Sequence, residues 1–317
     1  MNGWYFRFVL VVAAVGWGLA TTATKFALGG FGPMTMLVVK LAAATIVLWA
    51  VLLIRGRAAP SERPARDRLR FALLGLFEPA LAYGGLTLGL TFTTAANASL
   101  LGVTESIFVL VLAAIFLGER IGGRGLLGLL LAVAGVLALG GHDLLGGGVG
   151  FAVGDLIVVA GSVAAAVYVT LAAKVAPTVD PLTMTTYQFT YGTLFVAPLG
   201  LWSWLTGREP FPTAVAPQFW LAAIFVGGVC FALSFLLYNS AIRHVPAGMA
   251  GLILNMVPVI GVLSAVVLLS ETLTVWHIVG SALVVVGIVL FPATKDEPSV
   301  ETTGPAGTPL PAAAGRR

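Results

Sequence analysis

The residues that could do chemistry in this chain are few, and they lie where charge is costly. Glu78, Glu105 and Lys40 each fall inside a long apolar run. A charged side chain in hydrocarbon costs about 2.5–3.5 kcal/mol on insertion scales, so each needs a reason to be there. Glu78 stands beside Pro79 and shares a helical face with Gly75, Ala82, Gly85 and Gly89. A stripe of small residues lets another helix approach closely and turns the carboxylate into the bundle. Pro79 also removes a ladder bond and frees carbonyls of the preceding turn. Glu105 has Ala98 and Gly102 on its face. Either carboxylate can bind a cationic group or carry a proton. Two of them in one aqueous cavity would repel each other and favour holding a proton. The alternative is a neutral or backbone-bonded glutamate in a packed bundle. Lys40 can attract a carboxylate, pair with either glutamate, or extend its stem toward the interface.

Around these charges stand groups suited to enclosing an amphipathic molecule. Trp17 and Tyr83 are assigned to that cavity, and Gln188, which stands 148 residues after Lys40, is assigned to its polar lining. Tyr168, Tyr187, Tyr191 and Tyr238 are assigned to packing, and Trp49, Trp202, Trp204 and Trp220 to the interfacial aromatic belts. Lys25, Glu119, Asp155, Lys174 and Glu271 lie near helix ends and read as anchors, caps or loop-ordering pairs. Pro79, Asn255 and Pro258 place prolines and an amide inside apolar segments, where a kink can serve as a gate.

Signatures of catalysis are missing. His142, His244 and His277 have no zinc-ligand spacing. No phosphate-binding loop of the Gly-x-x-x-x-Gly-Lys-Ser/Thr type occurs. No metal and no cofactor are expected. Cys230 is the single cysteine, lies in an apolar run, and excludes an intramolecular disulfide.

The elements that must position these residues follow from composition. Of 317 residues, 59% are hydrophobic and 9% charged, with a mean hydropathy of +1.02. A soluble domain carries about 25% charged residues, so the fold class expected is an all-α integral membrane protein. At about 20 apolar residues per span, ten spans fit: 4–28, 33–54, 69–91, 93–117, 121–139, 150–173, 181–206, 217–241, 247–269 and 274–292. The first is too long for a signal-peptide core and reads as retained. Fourteen of the seventeen Lys and Arg residues fall on one side if the N-terminus is cytoplasmic, and Arg208 alone falls in a loop on the other. That bias places both termini in the cytoplasm, in the inner membrane of a bacterial-type cell, and explains the basic balance better than nucleic acid does. Residues 140–150 hold six glycines in eleven positions. The expected layout is therefore a five-helix unit over 1–140, a glycine-rich connector over 141–149, a second unit over 150–292 and a disordered tail over 293–317.

The two units echo each other. Gly32-Pro33-Met34-Thr35-Met36 and Asp180-Pro181-Leu182-Thr183-Met184 are offset by 148, and Leu117-Gly118-Glu119 and Leu269-Ser270-Glu271 by 152. Five spans is an odd number, so the second copy must run inverted in the membrane, a common construction in secondary transporters.

Trp17-Gly18 followed by Lys25, the Leu-Gly-Glu-Arg closing span 4, the Pro-Leu-Thr opening span 7, and Pro258 with Ser-Glu-Thr-Leu-Thr at 270–274 together resemble EamA domains of the drug/metabolite transporter superfamily. In span 6, Ala166 stands near a position where a tryptophan is common, with Tyr168 two residues on. The resemblance spans about residues 4–292 and implies two domains in ten helices that move small organic solutes, often outward, with amino acids frequent among them. The expected function is a secondary transporter, exporter in type, working by alternating access, with Trp17, Lys40, Glu78, Tyr83, Glu105 and Gln188 at the solute. A small solute, membrane lipid and protons are the expected partners, the protein being a monomer or homodimer. Exporters of drugs or cationic metabolites, and a membrane enzyme acting on lipid-linked substrates, are the alternatives.

Overall fold

The computed structural model describes residues 3–56, 65–117, 123, 127–128, 130–131, 133–135, 138, 149–175, 178–241, 244, 253–254 and 256–290. Every regular element among them is helical. The first half contributes α1 (Gly3–Ala27), α2 (Pro33–Ile54), α3 (Ala65–Gly75), a π-helical segment Leu76–Leu81, α4 (Ala82–Gly89), α5 (Ala95–Leu101) and α6 (Thr104–Leu117). The second contributes α7 (Val149–Val175), α8 (Pro181–Leu205), α9 (Pro217–Phe225), a second π-helical segment Val226–Leu233, α10 (Ser234–Ala241), α11 (Met256–Leu269) and α12 (Val275–Leu290). Five stretches among the described residues are long and apolar enough to cross a bilayer: Trp4–Ala27, Pro33–Ile54, Asp67–Gly89, Val153–Ala172 and Pro217–Tyr238. The connector and tail expected at 141–149 and 293–317 lie outside the described residues, apart from the first residue of α7, as do Glu119 and Asn255.

Two expected spans are broken. The residue before a proline is pushed out of the α region, and Glu78 accordingly has extended backbone (φ −143°, ψ 119°) within the π-helical segment. The glycine stripe around it therefore serves two neighbours. Gly75 seats on α8, whereas Gly85 and Gly89 seat on Gly161 and Gly154 of α7, where no Cβ fits. The second break is at Gly102-Val103. Leu101 ends α5, the Thr104 hydroxyl takes the Leu101 carbonyl at 2.6 Å, and Glu105 falls in the first turn of α6. A carboxylate is favoured there by the partial positive charge of a helix start.

Without water, polar groups must be satisfied internally. Hydroxyls of Thr87, Ser99, Thr170, Thr186, Thr190 and Thr193 each return to the carbonyl four residues earlier. The main core lies between α2, α8 and the second π-helical segment, around Leu41, Leu48, Phe189, Val226 and Phe231.

α2 and α8 pack along each other. Trp204 Nε1 donates to Thr35 Oγ1 at 2.7 Å, Thr45 and Thr193 share a hydrogen bond of 2.9 Å, and Trp49 Nε1 donates to Thr190 Oγ1 at 2.9 Å. As numbers rise along α2 they fall along α8, so the two run antiparallel. Trp49 and Trp204, expected in the interfacial belts, also tie these helices together, because each indole N–H finds a threonine on its neighbour.

Candidate functional site

The break at Glu78 builds one side of the site. Its freed backbone carbonyl accepts from Gln188 Nε2 at 3.0 Å, and Gln188 Oε1 accepts from the Tyr168 hydroxyl at 3.2 Å. Gln188 is fully buried, with both ends of its amide occupied. The Glu78 side chain, 8% exposed, lies within electrostatic reach of Tyr83 and Glu105. Pro79 sits against Gly192 of α8. The peptide bond between Glu78 and Pro79 is cis.

Lys40 builds the other side. It is 0% exposed, so its stem does not extend to the interface. Its ammonium donates to Thr87 Oγ1 at 2.5 Å and lies 5.5 Å from the centre of the Phe231 ring. Thr87 in turn donates to the Tyr83 carbonyl at 2.5 Å. Among the described residues the one ion pair is Arg70–Asp67, so Lys40 pairs with neither Glu78 nor Glu105. Tyr83 stacks on Phe231, with ring centroids 4.2 Å apart. An ammonium lies at the Phe231 side of this stack, and a carboxyl lies within electrostatic reach of Tyr83.

Trp17 borders the same core. Its ring meets Phe235 at 5.1 Å and Tyr238 at 5.3 Å, and its Nε1 is buried without a hydrogen-bond partner. Phe235 continues to Phe189 at 5.5 Å, and Phe189 to Phe231 at 6.3 Å. Pro258 lies within the first turn of α11.

The structure therefore links Glu78, Tyr83, Gln188 and Lys40 through direct contacts or one intermediary, sets Glu105 within reach of Glu78, and joins Trp17 through aromatic rings. It also adds residues that sequence reasoning passed over. Tyr168 was assigned to packing and bonds Gln188. Thr87 and Phe231 were not singled out. Thr87 follows Tyr83 by one helical turn, a signal that it shares that face; nothing in the sequence marks Phe231.

Broken apolar helices around buried charges define a multi-pass helical membrane protein with a polar centre. The comparisons with known proteins sharpen that class. The EamA-like transporter family matches residues 6–141 and again 152–291, and the chain belongs to this family. An uncharacterized transporter of Bacillus subtilis is 28% identical over 228 residues, 70% of this chain and 66% of that protein. A probable terminal-alkyne amino-acid exporter of Streptantibioticus cattleyicolor is 26% identical over 282 residues, covering 89% of this chain and 91% of its own length. A solved crystal structure superposes with a TM-score of 0.59 at 20% identity, covering 90% of this chain and 98% of that one, a likeness of fold alone. The chain is a membrane transporter and not an enzyme.

Proposed function

We propose that the protein is a secondary transporter of zwitterionic solutes, amino acids foremost, exporting them by alternating access between two inverted halves of five spans each. The observation that carries the substrate class is that Lys40 and Glu78, one buried group of each sign, both adjoin the Tyr83–Phe231 stack. A solute with a carboxylate and an amine matches the two groups, and its apolar side chain matches the rings beside them. Trp17, with an indole N–H left unbonded, offers a further donor to a solute oxygen. Gln188 orients Glu78 through the backbone, and Glu105 acts beside Glu78 as the group that exchanges a proton when the site changes sides. The relative from Streptantibioticus cattleyicolor, named as an amino-acid exporter, supports the same class.

Inversion is supported by contacts between the halves. Thr45 and Thr193 are 148 residues apart, the offset at which α2 and α8 align in sequence, and they bond to each other in an antiparallel pair. Residues related by a two-fold axis can touch their own counterparts only on that axis. The π-helical segments recur about 150 residues apart, each in the third span of its half. Ten spans, domains at 1–140 and 150–292, and cytoplasmic termini in the cell membrane complete the proposal, with Pro79, Asn255 and Pro258 as gate positions. The carboxylates of Glu78 and Glu105, in reach of one another, favour an organic cation as the second reading.

Counterflow of radiolabelled neutral amino acids in proteoliposomes tests the substrate class. Saturable exchange is expected, and exchange of organic cations with none of amino acids would select the second reading. Reporter fusions are expected to place the loop at 55–68 in the cytoplasm and that at 207–216 outside; the reverse would overturn the orientation.

A further inference from the structure

The second half sends two loop glutamates back onto the first. Glu209, after α8, accepts the amide hydrogens of Met34 and Thr35, each at 2.8 Å, and the Thr35 hydroxyl at 2.7 Å. Glu271, after α11, accepts those of Ala95 and Ala96, each at 2.8 Å. Bonds of this kind are about twice as strong as neutral ones.

The chemistry is the same and the surroundings differ. Glu209 is buried, and beneath it α2 and α8 stay bonded through Thr35, Thr45 and Trp49 along most of their length. Glu271 is only half-buried, and in the seam beneath it Ala95, Ala98 and Leu101 of α5 pack with Val262, Ala265 and Leu269 of α11, with no side-chain hydrogen bond between the two helices among the described residues. A Cβ on Gly261 of α11 would collide with the Ser99 hydroxyl of α5, and one on Gly18 of α1 would lie 2.6 Å from Ile260. Beside that seam, where α1 packs on α11, Thr22 and Ser264 share a hydrogen bond of 2.7 Å. Past Gly102-Val103 the packing partner changes, and α6 packs chiefly on α7. α5 and α11 thus meet near the end that Glu271 ties. Lys25 lies within electrostatic reach of Glu271 and donates to the carbonyls of Leu90 at 2.6 Å and Thr93 at 2.7 Å, which fastens α1 to that end as well.

We infer that Glu271 is a gate latch, a positioning residue whose carboxylate holds the seam between α5 and α11 shut and releases Ala95 and Ala96 when the bundle opens at that end. Glu209 is its fixed counterpart, a strut in the part that does not separate. On opening, both the amides and the carboxylate exchange their bonds for water. The inference rests on the alternating-access reading above.

The test is thiol labelling in detergent solution, which needs no solute. In a Cys230→Ala background, Thr22→Cys places a thiol beside the seam, on the face of α1 that meets Ser264 of α11, and a bulky polar maleimide reports its exposure when α11 parts. Glu271→Gln, which turns one acceptor oxygen into a donor, is expected to raise the labelling rate by at least about tenfold, and Glu209→Gln by less than about twofold. No rise with Glu271→Gln, or an equal rise with both, overturns the assignment. Glu271→Cys joined to Ala96→Cys by a short bis-thiosulfonate gives a second arm: labelling is expected to fall below that of the parent and to recover with reductant, and no fall overturns the latch. If labelling behaves as expected while reconstituted protein moves no amino acid, the substrate class fails and the latch stands.

Discussion

Among the places where a glycine of one half seats on the backbone of a helix from the other, two are counterparts. Gly75 lies where a Cβ would collide with the Gln188 carbonyl and approach the amide of Gly192; Gly227 lies where one would collide with the Lys40 carbonyl and approach the amide of Ala44. The glycines are offset by 152 residues, and the pairs they meet by 148. The backbone contact is therefore reproduced while the side chains are not. At the first place a neutral amide bonds a carbonyl and a phenol. At the second an ammonium faces a hydroxyl and a ring. Symmetry belongs to the scaffold and asymmetry to the chemistry, as expected if two interchangeable halves must bind a molecule that has no symmetry of its own.

That comparison can be broken in several ways. The largest effect is expected from Gly75→Leu and Gly227→Leu, which force bulk between backbones and should each destabilise by about 3 kcal/mol or more. Thermal unfolding in detergent checks this, and a loss in one variant with none in the other would deny that the contacts are equivalent. Next come Glu78→Gln and Glu105→Gln, for which amino-acid uptake is expected to fall about tenfold, or ~1.4 kcal/mol, with folding intact. Full uptake in both would remove them from the mechanism. The smallest effect is expected at the proposed axis. Thr45→Val with Thr193→Val removes one interhelical hydrogen bond, for which about 0.6 kcal/mol is typical in membranes, so the unfolding midpoint should drop slightly and uptake should hold. A large loss of uptake would mean that the pair moves during transport.

Much of this was legible in the sequence because it rests on local rules. Pro79 announces the distortion at Glu78, since the restriction on a pre-proline residue is steric and needs no neighbour. The 148-residue offset announces the pairing of Lys40 with Gln188. Helix-end placement likewise put Glu271 and Lys25 among the anchors, caps and loop-ordering pairs. What stayed hidden depends on contacts between helices. Thr87 becomes the partner of Lys40 only once α4 lies beside α2, and Phe231 becomes the floor beneath it only once the second π-helical segment packs there. Trp49 and Trp204 have the composition and position of belt residues; only the antiparallel contact of α2 with α8 supplies the threonines that claim their N–H groups. Glu209 was an unremarked loop charge until its two amide partners came into place.

The most direct test makes the unequal counterparts equal. Lys40→Gln installs at the second place the residue that stands at the first, without altering the glycine contact at Gly227. The unfolding midpoint is expected to stay within about 1 °C, which corresponds to under ~1 kcal/mol for a chain of this size, while exchange of radiolabelled amino acids in proteoliposomes falls at least about tenfold. Undiminished exchange by the Lys40→Gln protein would contradict the account, because the charge that sets the two halves apart would then have no part in holding the solute.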